Sequence, residues 1–176
     1  YRSSAQSWLD EKRALQGEGK AAISRLPFPV HTLAQVTLVD DISGLRTVSG
    51  MHYQSPVWDP VEREFRGFRQ LIQTDTLSDA QGTAAERSPP AQVRQWFLSG
   101  IEDLDSIAPQ GFVGQRSAEA DFALQPVRFT RLEGDRDVPY TPQGAARCWL
   151  LCALKGAQVR SETYGLDGTE RAGLPY

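Results

Sequence analysis

The sequence predicts a mainly β chain, built of antiparallel strands and hairpins with one helix near residues 142–155. Three observations lead there. Glycine and proline supply 15 and 11 of the 176 residues while hydrophobic residues reach 40%, a mixture that suits many turns around a modest core. Between residues 31 and 76, three stretches alternate at a period of two and are separated by turn residues, as in a meander. Only Thr141–Gly156 combines a helical start signal, a helical period and a stop signal. The length is that of one ordinary domain able to bury a core, and the chain is treated as a single segment, 1–176.

In chain order, the run Trp8-Leu-Asp-Glu-Lys-Arg-Ala-Leu15 predicts about two turns of helix inside 7–22, broken by Gly17 and Gly19. Leu26-Pro-Phe-Pro-Val30 must be extended, because each proline fixes its own φ and pushes its predecessor out of the α region. A strand over 31–39 follows, with Thr32, Ala34, Val36 and Leu38 on one face. Asp40-Asp-Ile-Ser-Gly44 is a turn, then 45–54 alternates again and Ser55–Pro60 closes that strand. Val61–Thr76 predicts a long strand, giving a strand-rich region over 26–76. Ser78–Pro90 is a loop, and 91–99 a further strand. Residues 101–139 are poorly patterned, apart from a short strand within Leu124–Leu132. In the helix 142–155, Thr141 is a good N-cap, Pro142 suits the first turn and Gly156 the stop. Ala145, Cys148, Trp149 and Cys152 form an apolar stripe at helical spacing. A terminal strand and Asp-Gly turn occupy 157–171.

Nineteen basic residues against 22 acidic ones give a net charge of −3. That balance, with the arginines dispersed among glutamates, argues against a nucleic-acid partner. No apolar run reaches the ~20 residues that span a bilayer, and the first ten residues lack the apolar stretch of a signal peptide.

The densest charge lies in Val61-Glu-Arg-Glu-Phe-Arg-Gly-Phe-Arg69. Read as a strand, Glu62 and Glu64 share a face, roughly 7 Å apart, a separation at which paired carboxylates serve glycosidases. Arg66 is next on that face and holds a carboxylate ionised, which is wrong for a general acid. The reading preferred is a strand whose charges pair across the sheet while Phe65 and Phe68 pack into different faces, with Gly67 at a close approach or bend. Asp40, Asp41, Asp103, Asp105 and Asp167 lack calcium-loop spacing and read as turn formers. Cys148 and Cys152 with His31 and His52 do not make a zinc site and read as core thiols. No nucleophile elbow or phosphate loop is present. The residues therefore predict no catalytic, cofactor-binding or metal site and no enzyme. A surface or glycan-binding module using Trp8, Trp58, Trp96 and Trp149 is the alternative.

A wider resemblance adds to this. Arg25-Leu-Pro-Phe-Pro-Val30, the Asp41-Ile-Ser-Gly44 turn and Glu62-Arg-Glu-Phe-Arg-Gly-Phe68 come first. Gln73-x-Asp75-Thr76, Pro89-Pro90 leading to Trp96-Phe97-x-x-Gly100, Ala153-Leu-Lys-Gly156 and Tyr164-x-x-Asp167-Gly168 continue in order. This series resembles the middle-to-C-terminal region of the insecticidal toxin-complex B subunit, the TcdB/TcaC family related to the N-terminal part of SpvB. Ile107–Pro139 departs from it. Tyr164 before Asp167-Gly168, and Trp58 before Asp59-Pro60, also resemble the tyrosine-aspartate (YD) repeats of Rhs proteins. The resemblance implies a non-enzymatic segment of a large curved β shell, secreted, enclosing a cytotoxic effector. Its implied partners are the rest of the same chain, the toxin-complex C subunit or a fused Rhs region, the enclosed effector and, through other domains, the A-subunit translocation channel. Such a wall, removed from its neighbours, exposes sheet edges and is expected to be unstable alone.

Overall fold

A computed structural model describes residues 1–21, 24, 26–79, 89–101 and 127–175. Its elements run β1 (Arg2–Ser3), α1 (Ser4–Gly17), β2 (His31–Thr32), β3 (Gln35–Val39), β4 (Leu45–Asp59), β5 (Glu64–Asp79), β6 (Ala91–Phe97), β7 (Phe129–Glu133), β8 (Arg136–Tyr140), α2 (Gly144–Ala153) and β9 (Gln158–Gly165). The mainly β, antiparallel expectation holds.

Five strands form one open sheet in the order β3-β4-β5-β6-β9, every neighbour antiparallel. Its spine is the β4–β5 hairpin, whose strands are 15 and 16 residues long. β4 does not end at Ser55: it continues through Pro56 to Asp59. Proline is tolerated there because β3 pairs only with residues 46–50, so that the outer side of Pro56 has no ladder partner in this sheet. The turn falls later than the alternation suggests, at 60–63, and β5 begins at Glu64 rather than Val61.

A second departure is the phase of β5. Val57 pairs with Gly67 but Trp58 pairs with Phe65, so Arg66 is an extra residue bulged out of the ladder. Gly67 takes φ +100, a conformation in which only glycine is unstrained. Ser55 on the facing strand lies at φ 52. These two irregularities break the strict alternation, and Phe65 and Phe68 meet edge-on with ring centroids 5.3 Å apart. The expectation that they point to different faces is therefore corrected. Space around Gly67 is open, with nothing within 4 Å of an added Cβ, so the glycine serves the bend and no close approach.

The N-terminal helix is 14 residues long, not two turns, because Ser3 caps it by accepting from the Ala5 amide at 3.3 Å. Ser4 fastens its start to the chain at Val30: its amide donates to the Val30 carbonyl at 2.8 Å and its Oγ accepts from the Val30 amide at 2.9 Å. The expected strand over 31–39 is split into β2 and β3. Within the poorly patterned 101–139, the structure has a separate β7–β8 hairpin turning at Gly134. Residues 102–126 lie outside the described part.

The core is small. Trp96 and Leu98 are its buried centre, with Val127, Leu154 and Val159 packed around them. Meanwhile Leu38, Ile42, Val61, Leu132 and Trp149 are exposed. All five residues of β3 are exposed, and no strand pairs with the outer edge of β3 or of β9 among the described residues.

Candidate functional site

The densest chemistry lies where the β4–β5 turn meets the end of α2. Asp59 closes the turn: its Oδ1 accepts from the amides of Val61 at 3.0 Å and Glu62 at 3.2 Å. Its Oδ2 accepts from Arg66 Nη2 at 2.9 Å, and both side chains are buried. The bulge is what aims Arg66 here. Arg66 Nη1 also reaches Glu64 Oε2 at 2.8 Å, and Glu64 Oε1 accepts from Lys155 Nζ at 2.5 Å. Four charges of alternating sign thus tie the hairpin tip to the residues just past α2.

The electrostatics follow from the geometry. Hydrogen bonding from Arg66, then from the Glu62 amide, holds the Asp59 carboxyl below its ordinary range. Hydrogen bonding from Lys155, followed by the Arg66 charge, does the same to Glu64. Both therefore stay ionised at neutral pH, and neither has the raised pKa of a general acid. Glu62 sits in the turn and is exposed. The two glutamates that the sequence places on one strand face are not on one strand.

Beside this knot lies a groove of about 510 Å³, lined by Val61, Ile101, Ala145, Cys148, Trp149 and Cys152 among others. The helical stripe expected in the core is the groove's wall. Cys148 is exposed, Cys152 half-buried, both are free thiols, and Trp149 is 76% exposed. The helix turns its leucines inward instead, with Leu151 buried and Leu150 and Leu154 half-buried. The orientation is pinned by Leu98, whose amide donates to the Ala157 carbonyl and whose carbonyl accepts from the Gly156 amide, both at 2.9 Å. Gln143, not Thr141, precedes the first turn, without a side-chain cap.

A second polar cluster was not legible as such in the sequence. Arg160, Glu162 and Tyr164 alternate along β9 and share a face. The Tyr164 hydroxyl donates to Glu162 Oε2 at 2.5 Å, and Arg160 Nη2 reaches Glu162 Oε1 at 2.6 Å. The Arg94 guanidinium lies 4.5 Å from the centre of the Tyr164 ring. Tyr164 is 2% exposed, and burial, aided by Glu162, pushes its phenol up to about 12. The i, i+2 spacing was the available signal. What it lacked was any sign that this face of the sheet is covered.

The other candidates fall as turn formers. Asp40 Oδ1 accepts from the Ile42 amide at 2.9 Å, and Asp167 Oδ1 from the Thr169 amide at 3.0 Å. Asp103 and Asp105 lie outside the described residues. His31 is in β2 and His52 in β4, and no group of three metal-ligating side chains occurs among the described residues. Nor is any helix there long and apolar enough to cross a membrane. Of the tryptophans, Trp96 is buried, Trp8 and Trp58 are half-buried, and Trp149 is exposed.

Comparison with known proteins places this geometry. Residues 1–95 match the family described as the insecticide toxin TcdB middle/N-terminal region, so the matched part is middle/N-terminal where the residues alone suggested middle-to-C-terminal. No curated protein matches. The crystal structure of TcdB2-TccC3-TEV is similar over 100% of this chain, at 43% identity and TM-score 0.82. That of TcdB2-TccC3 without its hypervariable C-terminal region is similar over 100% at 41% identity and TM-score 0.83. The Photorhabdus luminescens Tc holotoxin pore with the mutation TccC3-D651A is similar over 99% at 41% identity and TM-score 0.82. The chain spans 8% of each of those chains. It belongs to the TcdB insecticidal toxin family.

Proposed function

We propose that this chain is a non-enzymatic wall segment of a secreted toxin-complex shell that encloses a cytotoxic effector for delivery. The observation that carries the reading is the open five-stranded sheet, whose β3 and β9 edges have no strand partner and which buries little core among the described residues. A sheet left open at both sides and exposing Leu38 and Val39 is an aggregation hazard unless further strands or layers cover it. A longer shell supplies that cover. The solved relatives, named as TcdB2 with TccC3, support a C-type component as the partner that completes the enclosure, alongside the remainder of the same chain. The A-subunit channel is engaged by other domains, and neither nucleic acid nor a membrane span enters the role.

The test replaces Thr37 and Val39, whose amides face away from β4, by proline in the longer protein, co-expressed with a C-type partner carrying an effector. Loss of protease protection of the effector, with β3 no longer able to pair, is the expected result. Full protection in that variant contradicts a wall role for this sheet. The exposed Trp149 favours one second reading, a surface glycan-binding module. A glycan array scored against Trp149→Ala separates the two.

A further inference from the structure

We propose that Cys148 and Cys152 form a two-thiolate site for one soft monovalent metal ion of the Cu(I) kind. Four residues apart on α2, they stand one turn from each other on a single face, where Cβ atoms are about 5–6 Å apart. Both line the groove beside the ion-pair knot, with Ala145 and Trp149 of the same stripe. Cys148 is exposed, Cys152 is half-buried, and neither is in a disulfide. In a core the two thiols would only pack. On a groove wall they are within reach of a ligand.

The spacing decides how the pair is joined. A relaxed disulfide needs Cβ atoms about 3.5–4.5 Å apart, closer than consecutive helical turns bring them. A metal ion bridging two thiolates spans about 4.6 Å from sulfur to sulfur, twice a metal–thiolate bond of about 2.3 Å. Cysteines one turn apart reach that span in staggered rotamers. The frame is fixed as well, since Leu98 anchors the backbone just past α2 through Gly156 and Ala157.

The ligand count decides the metal. Asp59 also lines the groove, but its carboxylate is committed to Arg66 and to the Val61 and Glu62 amides. No third Cys, His, Asp or Glu joins the two thiols among the described residues. Zinc takes three or four protein ligands, and calcium and magnesium take several oxygens, so two sulfurs satisfy none of them. Soft thiolates select Cu(I), and a filled d shell imposes no geometry that two ligands would violate. Binding forms two metal–sulfur bonds and releases two thiol protons to water, with no electron transferred. The bridged pair carries one negative charge. That charge is favoured by the Arg66 guanidinium, which lines the same groove within electrostatic reach of Cys152.

The test is site-resolved alkylation of the longer protein, reduced and kept free of oxygen, read by mass spectrometry of the peptide that carries both cysteines. Cu(I) stabilised by acetonitrile is the probe and Zn(II) the control. Cu(I) should slow alkylation of both thiols together by about tenfold, because a metal-bound thiolate is no longer a free nucleophile. Zn(II) at the same concentration should leave both rates unchanged. Cys148→Ser should return Cys152 to its metal-free rate, and Cys152→Ser should do the same for Cys148, with unaltered melting curves showing that the fold is intact. Four results each overturn the proposal: no protection by Cu(I), protection of one thiol without the other, protection that survives either substitution, or equal protection by zinc. A Cys148 that the alkylating agent fails to reach without metal overturns it too.

Discussion

Arg66 and Asp59, seven residues apart, meet at 2.9 Å in a buried ion pair across the tip of the β4–β5 hairpin. The pair exists because one extra residue is bulged from β5, turning the arginine toward the turn that Asp59 closes. Removing one partner of a buried pair leaves the other charge without compensation, at a cost of about 3 kcal/mol. Arg66→Ala is therefore expected to lower unfolding stability by that order. A urea titration giving a change below about 1 kcal/mol would show the pair to be ornamental.

The same pair sets an acid limb. The Asp59 carboxyl is depressed in the folded state, so its stabilisation is complete above the unfolded value, near about 3.9, and is lost as pH falls through the folded value. Melting temperature should fall on acidification below about pH 4, and Asp59→Asn should flatten that slope while lowering stability at pH 7. An unchanged slope in the variant contradicts the assignment.

Gly67 carries the bend. At φ +100 any side chain is strained whatever the surrounding space, at roughly 1–3 kcal/mol. Gly67→Val is expected to damage folding and assembly through the backbone rather than by collision. Gly100 differs: it has φ +83, and an added Cβ also lies 3.2 Å from the Cys152 Cα, the Leu151 carbonyl oxygen and the Lys155 Cβ. Gly100→Ala should thus loosen α2 from the sheet. Normal soluble expression of Gly67→Val at wild-type yield argues against the bulge as a requirement.

Glu64 looks like chemistry and behaves as structure. Its contacts to Arg66 and Lys155 are partly exposed, and such pairs contribute about 1 kcal/mol or less. Glu64→Gln should change stability by no more than that and leave no hydrolytic activity missing. A lost activity in a glycosidase screen, with the fold intact, would revive the enzyme reading.

How much of this was legible before the structure? Alternation and turn residues revealed the meander, because side-chain period and the Asp-led turns are local properties. The bulge was not legible, since nothing in Glu64-Phe-Arg-Gly-Phe68 says which residue leaves the ladder. Gly67 marked the place without giving the phase, and so Phe65 and Phe68 were assigned to opposite faces. The helix 142–155 was plain, but its buried side was not. Cys148 and Trp149 look as apolar as Leu150 and Leu151, and only the Leu98 anchor chooses between them. The short strand within 124–132 was caught, whereas its partner β8, with Pro139 and alternating charges, gave no apolar period to read.

The central claim is that this sheet continues beyond its own edges. Amide hydrogen exchange along β3, compared between residues 1–176 alone and the longer protein assembled with its C-type partner, tests it directly. The amides of β3 that face away from β4 should exchange rapidly in the isolated segment and be strongly protected in the assembly. Equally rapid exchange in both would mean that the β3 edge stays open, and the segment would not be part of a continuous wall.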